Sequence, residues 1–130
     1  MKKQASVMMV NCRGRILLLH RTKGSPRPGT FCFPGGHLNF GEDFATAAIR
    51  ETREETGMAL NPNAVKDTGG AWNLPHALIH AFRIDLDTAL PPVTLSFEHD
   101  GYLWVDPKED WVHQLPFTGQ VVRDMLAAMR

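Results

Sequence analysis

Residues 36–58 of the chain read GHLNFGEDFATAAIRETREETGM and form its most informative segment. The segment predicts a helix that begins near Glu42 and stops at Gly57, because glycine is the residue expected just past a helix C-terminus. Small and apolar side chains recur along it at helical spacing: Ala45, Ala48, Ile49 and Thr52. This spacing predicts one face that packs against a sheet.

Three carboxylates lie close together in the last turns of this predicted helix. Glu51, Glu54 and Glu55 occupy positions i, i+3 and i+4, so their side chains project from neighbouring positions. Each like-charge pair costs about 0.2–0.5 kcal/mol, and the negative end of the helix dipole disfavours acids there. An acidic helix face paired locally by Arg50 is the plain structural explanation. A local conflict of this kind is also typical of a functional site where a cation supplies the compensation.

Carboxylate oxygens are hard ligands that suit Mg²⁺ or Mn²⁺. A divalent ion held by a few carboxylates is suited to hydrolysis at phosphorus, with a further carboxylate taking the proton of the attacking water. The preceding Pro34-Gly35-Gly36 agrees with this, because glycine lets the backbone approach an ion or a phosphate closely. The pattern therefore indicates metal-assisted hydrolysis of a phosphate compound.

The full spacing resembles the Nudix box, G-x5-E-x7-R-E-U-x-E-E-x-G-U, where U is a bulky apolar residue. The fixed positions are matched by Gly36, Glu42, Arg50, Glu51, Glu54, Glu55 and Gly57, followed by the apolar Met58. At about 7% usage per residue, seven fixed positions coincide by chance on the order of 10⁻⁸ per starting point. Thr52 departs from the pattern at the first U, where we expect a change in packing and an intact metal site.

The resemblance implies roles for individual residues of the box. Glu51, Glu54 and Glu55 are similar to the catalytic, metal-binding glutamates of the family, and Glu51 is the one that also activates water. Glu42 and Arg50 resemble the ion pair that holds the helix against its loop. In related enzymes the carbonyl of the glycine before the box also touches the metal, which implies Gly35. The box glycines, Gly36 and Gly57, support the site structurally.

A further acid outside the box often completes the metal site or provides the base in this family. Glu98 is the candidate, since it lies just ahead of a predicted strand at 102–105. Asp100 and Glu109 are weaker alternatives, and an acid before a strand is commonly only solvated.

The sequence from Phe33 to Glu42 resembles that of MutT-like nucleoside triphosphate pyrophosphatases. That likeness implies Mg²⁺-dependent, or Mn²⁺-dependent, hydrolysis of a nucleoside triphosphate to the monophosphate and pyrophosphate. Two alternatives stay open: a pyrophosphatase acting on ADP-ribose or another nucleotide sugar, and a non-catalytic Nudix domain that senses a nucleotide. The nucleotide is the expected partner, and its candidate binding residues are Arg27, Phe33, His37 and Trp72.

The rest of the chain predicts one Nudix domain over residues 1–130, as a monomer or homodimer. Fourteen Lys and Arg balance fourteen Asp and Glu, which argues against binding to a nucleic acid polymer. No apolar run approaches the roughly 18 residues that a membrane span needs. The two cysteines match no zinc-ligand spacing and predict a reducing, cytoplasmic setting.

The flanking segments predict strands mixed with helices. Strands are expected at 5–10, 15–20, 31–33, 65–72, 76–86 and 102–105, with a closing helix at 117–129. This is an α/β arrangement with helices on both faces of a mixed sheet. It suits the Nudix-type α/β/α sandwich with a mixed central sheet.

Overall fold

A computed structural model describes residues 2–130, in which strands and helices are mixed along the chain. The regular elements in order are β1 Lys3–Cys12, β2 Arg15–Arg21, β3 Phe31–Cys32, β4 Gly35–His37, α1 Phe44–Thr56, β5 Val65–Asn73, β6 Ala77–Leu86, β7 His99–Val105 and α2 Gln120–Ala128. Two short 3₁₀-helices, Pro62–Ala64 and Asp110–Gln114, lie before β5 and after β7.

Strand β1 organises the sheet, whose order is β3-β2-β1-β6-β5. On one side β1 runs parallel to β6 along its whole length. On the other side it divides between two antiparallel partners, pairing first with β4 through Ala5–Val7 and then with β2 through Asn11 and Cys12. Strand β7 continues the sheet beside β2. The sheet is therefore mixed, and β4 enters it directly beside β1.

The two faces of the sheet carry separate apolar layers, because successive side chains of a strand point to opposite faces. One layer joins Met8, Val10 and Leu17 to Ala48 of α1. The other joins Met9 and Leu18 to the apolar side chains of α2, which are Val121, Val122, Met125 and Leu126. This arrangement is an α/β/α sandwich and confirms the predicted fold.

Several element boundaries differ from the prediction. The Pro34-Gly35-Gly36 segment, for which no strand was predicted, leads into β4, because Met8 donates its N–H to the Pro34 carbonyl at 2.8 Å and Gly35 pairs with Val7. Strand β7 begins three residues earlier than expected. The closing helix begins three residues later, because Phe117 forms a β-bridge with Phe31 before the chain turns into α2. Within residues 2–130, no helix is long and apolar enough to cross a membrane.

Candidate active site

Helix α1 is fixed at both ends by the residues that flank it. Asp43 caps its N-terminus, where the carboxylate accepts a hydrogen bond from the N–H of Thr46 at 2.7 Å. Gly57 ends it with a φ of 76°, a left-handed conformation that glycine adopts without strain, and donates its N–H to the Arg53 carbonyl at 2.9 Å. The acidic residues near the C-terminus of α1 are thereby held in a defined position beside β4.

Arg50 connects the loop before α1 with the acids of the helix. Its guanidinium donates twice to Glu42, at 2.8 and 2.9 Å, in a bidentate ion pair. It also donates to Glu51 at 3.0 Å, to Glu54 at 3.2 Å and to the His37 carbonyl at 3.0 Å. Hydrogen bonds from Arg50 and from the backbone N–H of Asn39 lower the pKa of Glu42 to about 2. The pair that the sequence suggested is thus present and largely screened from solvent.

Glu55 is the most deeply buried acid of the helix, with 4% of its surface exposed. Its Oε1 accepts a hydrogen bond from the backbone N–H of Gly35 at 2.8 Å. Burial raises the pKa of Glu55 to about 8, and the negative charges of Glu51 and Glu98 add to the rise. Charge-assisted bonding to the Gly35 N–H and the positive charge of Arg21 oppose it only in part. A carboxylate in this position is stabilised in its charged form by a nearby cation.

The two glycines of β4 are required by the closeness of their neighbours. A Cβ atom on Gly35 would lie 2.3 Å from the Ser6 carbonyl oxygen, which no real side chain permits. A Cβ atom on Gly36 would lie 2.6–2.8 Å from the carboxylate atoms of Glu51. The backbone of β4 therefore lies directly against the acids of α1, as the glycine-rich sequence suggested.

Glu98 acts electrostatically on the helix acids although it is far away in sequence. It stands immediately before β7, and its charge raises the pKa values of both Glu51 and Glu55. Burial is the main cause of the raised pKa of Glu51, and hydrogen bonding from Arg50 opposes it. Of the two weaker candidates, Asp100 pairs with His20 at 2.5 Å and Glu109 accepts a hydrogen bond from the Trp111 indole. Of these three candidates outside the box, Glu98 is therefore the one whose charge acts on the acids of α1.

The acids fit a divalent cation by their chemistry, because they supply several hard oxygen ligands at one point of the fold. In this arrangement Arg50 supplies the positive charge at Glu51 and Glu54. Within residues 2–130, no three His, Cys, Asp or Glu side chains converge tightly enough to hold an ion as they stand. Binding of a metal would require Glu51 and Glu54 to turn from Arg50 toward Glu55. Glu42 would keep Arg50 in place through its bidentate pair.

Two residues near Glu55, Arg21 and His99, were missed in the sequence, and the buried Cys32 lies beside them. Arg21 lies at the end of β2, and its charge acts on Glu55, on Cys32 and on His99. The Cys32 thiol contacts His99 Nε2 at 3.6 Å, and burial raises the pKa of Cys32 to about 12. Burial also lowers the pKa of His99 to about 4, so the ring is neutral. No local sequence signal marks them, because they come from three different strands.

Of the four residues expected to bind the nucleotide, only His37 lies beside the acids, and the other three contact the α2 side of the sheet or the segment that enters α2. Phe33 packs in the apolar layer below α2 with 3% exposure, so its ring is not available to stack on a base. Trp72 packs against the same layer and donates its indole N–H to Asp124 of α2 at 2.8 Å. Arg27 donates to the Thr118 carbonyl at 2.7 Å, on the segment that enters α2. His37 is exposed on β4, with its carbonyl bound to Arg50.

A cleft that the sequence did not indicate borders Glu98. It has a volume of about 310 Å³ and lies between the loop after β2 and the turn before β7. Its lining consists of Thr22, Gly24, Ser25, Pro26, Phe97 and Glu98.

Comparison with known protein families matches one family model to most of the chain. The model is the NUDIX domain, and it covers residues 2–125. An octanoyltransferase from Myxococcus xanthus is 32% identical over 90% of this chain and 34% of its own length. The NAD-capped RNA hydrolase NudC from Haemophilus influenzae is 28% identical over 93% of this chain and 46% of its own length. An ADP-ribose pyrophosphatase from Methanocaldococcus jannaschii is 46% identical over 47% of this chain and 34% of its own length.

The chain thus spans between about a third and a half of the length of these curated relatives. Solved structures share its fold over nearly its full length. The MutT protein from Methanosarcina mazei has a TM-score of 0.76 and 25% identity, and covers 98% of this chain and 92% of its own. A bifunctional NMN adenylyltransferase/ADP-ribose pyrophosphatase from Francisella tularensis, in complex with AMP and a Mn ion, has a TM-score of 0.74 and 20% identity, covering all of this chain and 42% of its own.

Proposed function

The chain belongs to the NUDIX domain family, and we propose on that premise that it hydrolyses a nucleoside triphosphate to the monophosphate and pyrophosphate with Mg²⁺ as cofactor. The buried carboxylate of Glu55, bound to the N–H of Gly35 and flanked by Glu51 and Glu98, is the observation that carries this proposal. Such a group is costly without a cation. The cost is offset if a divalent ion is part of the working site.

The bound metal would neutralise phosphate charge and make a coordinated water more acidic. Glu51, Glu54 and Glu55 would hold it, together with Glu98 and the Gly35 carbonyl. The Gly35 N–H orients Glu55, and the close fit against Gly36 orients Glu51. Glu51, whose pKa is raised by burial, is the group proposed to take the proton of the attacking water. Arg50 and Glu42 keep the end of the helix against the loop.

The resemblance of residues 33–42 to MutT-like nucleoside triphosphate pyrophosphatases supports the triphosphate as substrate, and the match to the M. mazei MutT protein over 92% of its own length agrees with it. Mg²⁺ is proposed over Mn²⁺ because it is the ion usually held by one or two carboxylates together with substrate phosphates.

The test is a phosphate-release assay on a panel of nucleoside triphosphates with Mg²⁺, run with and without added inorganic pyrophosphatase. Pyrophosphate is the expected product, so phosphate should appear only when pyrophosphatase is present. Excess EDTA should abolish the signal, and Mg²⁺ added beyond the chelator should restore it. Phosphate release without pyrophosphatase, or turnover that survives chelation, would overturn the proposed reaction.

A second candidate is hydrolysis of a pyrophosphate that joins a nucleoside to a sugar or to another nucleoside. The relatives favour it, since the M. jannaschii protein is an ADP-ribose pyrophosphatase and the H. influenzae protein is an NAD-capped RNA hydrolase. ADP-ribose and NAD⁺ therefore belong in the same panel, with alkaline phosphatase added afterwards to detect their monophosphate products. Activity confined to these two compounds would replace the triphosphate proposal with this one.

A further inference from the structure

Two of the cavities in the described part of the chain have a volume of about 310 Å³ each, near the lower limit of roughly 300–1,000 Å³ that is common for ligand pockets. One lies between β5, β6 and the end of α2, and its lining includes Met9, Arg83 and Met129. The other is the cleft between the loop after β2 and the turn before β7. Only this cleft contains one of the acids assigned to the metal site, Glu98. A substrate held at those acids would therefore extend into it.

Phe97 is the unusual residue of the cleft. Its side chain is 90% exposed although it is a large aromatic residue, and it directly precedes Glu98. An apolar ring kept in solvent contributes nothing to the core, and aromatic faces are the surfaces on which nucleobases stack. The exposed ring of Phe97, next to Glu98, is therefore suited to stack against a nucleobase.

The opposite wall of the cleft has a defined shape. The N–H of Thr22 donates to the Glu98 carbonyl at 3.1 Å, which ties this wall to the turn that carries Phe97. Ser25 donates its hydroxyl to the Thr22 carbonyl at 2.8 Å, and Arg21 Nε donates to the Pro26 carbonyl at 2.5 Å. One hydrogen bond therefore joins the two walls, and two others fix the shape of the loop that forms the wall opposite Phe97.

We propose that this cleft holds the base of the nucleotide, with the ring of Phe97 stacked on it and Pro26 and the hydroxyls of Thr22 and Ser25 facing it. This inference rests on the proposed function, because it places the non-phosphate end of that substrate. The chemistry of the lining supports a base over a phosphate group, since Glu98 is its one charged side chain. Hydroxyl groups both donate and accept hydrogen bonds, and stacking tolerates every base. The cleft therefore accepts purines and pyrimidines with little discrimination.

The test compares Phe97→Ala with Phe97→Trp and uses Phe40→Ala as the matched control. Phe40 is also a fully exposed phenylalanine, but it lies in the loop before α1 and does not line the cleft. Stacking on one aromatic side chain contributes on the order of 1–3 kcal/mol, so Phe97→Ala should raise KM for the triphosphates about tenfold or more. The value of kcat should stay near that of the wild type. Phe97→Trp should keep KM low, and Phe40→Ala should change neither constant.

Calorimetric binding of ligands makes the test independent of turnover. A nucleoside monophosphate and ribose 5-phosphate are titrated with Mg²⁺ into the wild type and into Phe97→Ala. The proposal requires the monophosphate to lose about tenfold in affinity in the variant while ribose 5-phosphate, which has no base, binds both proteins equally.

The outcomes separate this inference from the proposed function. If the wild type hydrolyses triphosphates but Phe97→Ala has an unchanged KM, the base lies elsewhere and the inference is overturned while the function stands. If no triphosphate is hydrolysed but the monophosphate still binds through Phe97, the inference stands and the function is wrong. A fall in kcat with KM unchanged would mean that Phe97 only positions Glu98, and this too would overturn the stacking role.

Discussion

Helix α2 buries four apolar side chains against the sheet, whereas helix α1 buries a carboxylate and two threonines among its alanines. The side chains of α2 exclude water and need no polar partner. Glu55 of α1 needs the Gly35 N–H as a hydrogen-bond donor and still has a strongly raised pKa. Thr52 and Thr56 donate their hydroxyls to the backbone one turn earlier, at 2.7 and 2.5 Å.

The difference teaches that the two faces of one sheet serve different ends. Burial of apolar surface on the α2 face stabilises the fold at about 25 cal/mol per Å². The α1 face gives up part of that gain to keep charged groups beside the backbone of β4. If this division is correct, changes in α2 should alter stability without altering chemistry, and changes at the acids of α1 should do the reverse.

The largest effect on stability is expected from Leu126→Ala in α2. Leu126 is fully buried, and removing a buried leucine side chain costs about 2–5 kcal/mol through lost burial and the cavity left behind. Urea unfolding should show a lower midpoint with an unchanged slope. The kcat of the folded fraction, measured well below the melting temperature, should equal that of the wild type. A large fall in kcat there would contradict the division between the two faces.

Glu55→Gln should have the opposite profile. The amide can still accept the Gly35 hydrogen bond, but it removes a charged metal ligand, so turnover should fall 100-fold or more, about 2.7 kcal/mol in the barrier. The domain should remain folded. Glu109→Gln is the matched control, because it removes the same charge from an exposed position and should leave turnover unchanged. Turnover like that of the wild type in Glu55→Gln would refute the assignment of the site.

Arg50→Ala should lower both the stability and the turnover, since Arg50 joins the loop before α1 to the acids of the helix. Loss of the guanidinium leaves Glu42 without its ion-pair partner and should lower the free energy of unfolding by about 1–3 kcal/mol. Turnover should fall as well, because the helix that carries Glu51 and Glu54 is no longer held against its loop by the Arg50–Glu42 pair. Arg13→Ala, which breaks an exposed pair with Asp87, should cost at most about 1 kcal/mol. Equal melting temperatures for the two variants would rule out the structural role.

The stability of the metal-free protein should fall as the pH rises from 6.5 to 8. Glu55 has a pKa of about 8 when folded against 4.5 in the reference state, so the folded chain keeps a proton that the unfolded chain has released. Its contribution to stability is full below pH 4.5 and is lost as the pH rises through 8. His99 has no effect in this pH range. Its pKa is about 4 in the folded chain against 6.5 in the reference state, so it destabilises the fold only as the pH falls below 6.5.

Between pH 6.5 and 8, the melting temperature of the metal-free wild type should decrease by a few degrees. Glu55→Gln should show no such decrease. Saturating Mg²⁺ should remove most of the decrease by favouring the charged carboxylate. Parallel pH profiles for the two metal-free proteins would show that Glu55 is not the group responsible.

The smallest effect is expected from Thr52→Val, which places an apolar residue at the first U position of the Nudix box. Thr52 is fully buried, and valine has a similar shape but lacks the hydroxyl bonded to the Ala48 carbonyl. That carbonyl already takes part in the helix, so the free energy of unfolding should change by less than about 1 kcal/mol. Turnover should be unchanged. A loss of turnover would show that Thr52 contributes to the site beyond packing.

Features that depend on residues near each other in sequence were predicted well. The helix from Phe44 to Thr56 lies within two residues of its predicted limits, because its stop signal and apolar spacing are local. The spacing of Glu51, Glu54 and Glu55 placed these acids at one end of one helix for the same reason. The α/β/α arrangement also followed, since the alternation of strands and helices permits few other folds.

Features that depend on pairing between distant segments were not predicted. Gly35 became part of a strand because β1 divides between two partners, which no local pattern shows. Phe33 was expected at the nucleotide, but its face of the sheet is set by strand pairing and turns it toward α2. No local pattern marks Phe97, because the turn that carries it and Glu98 is brought to the loop after β2 only by the tertiary structure. The proposed position of the base therefore rests on the tertiary structure.

The division of β1 between β2 and β4 has a consequence for how the protein can change over evolution. Gly35 is fixed on one side by strand pairing to Val7 and on the other by Glu55. The cleft, in contrast, is built from the loop after β2 and the turn before β7, which lie outside the regular elements. With the base placed as proposed, substitutions or insertions in the loop after β2, which carries none of the proposed metal ligands, can alter substrate preference while those acids stay in place. New specificities can therefore arise on this scaffold without passing through an inactive ancestor.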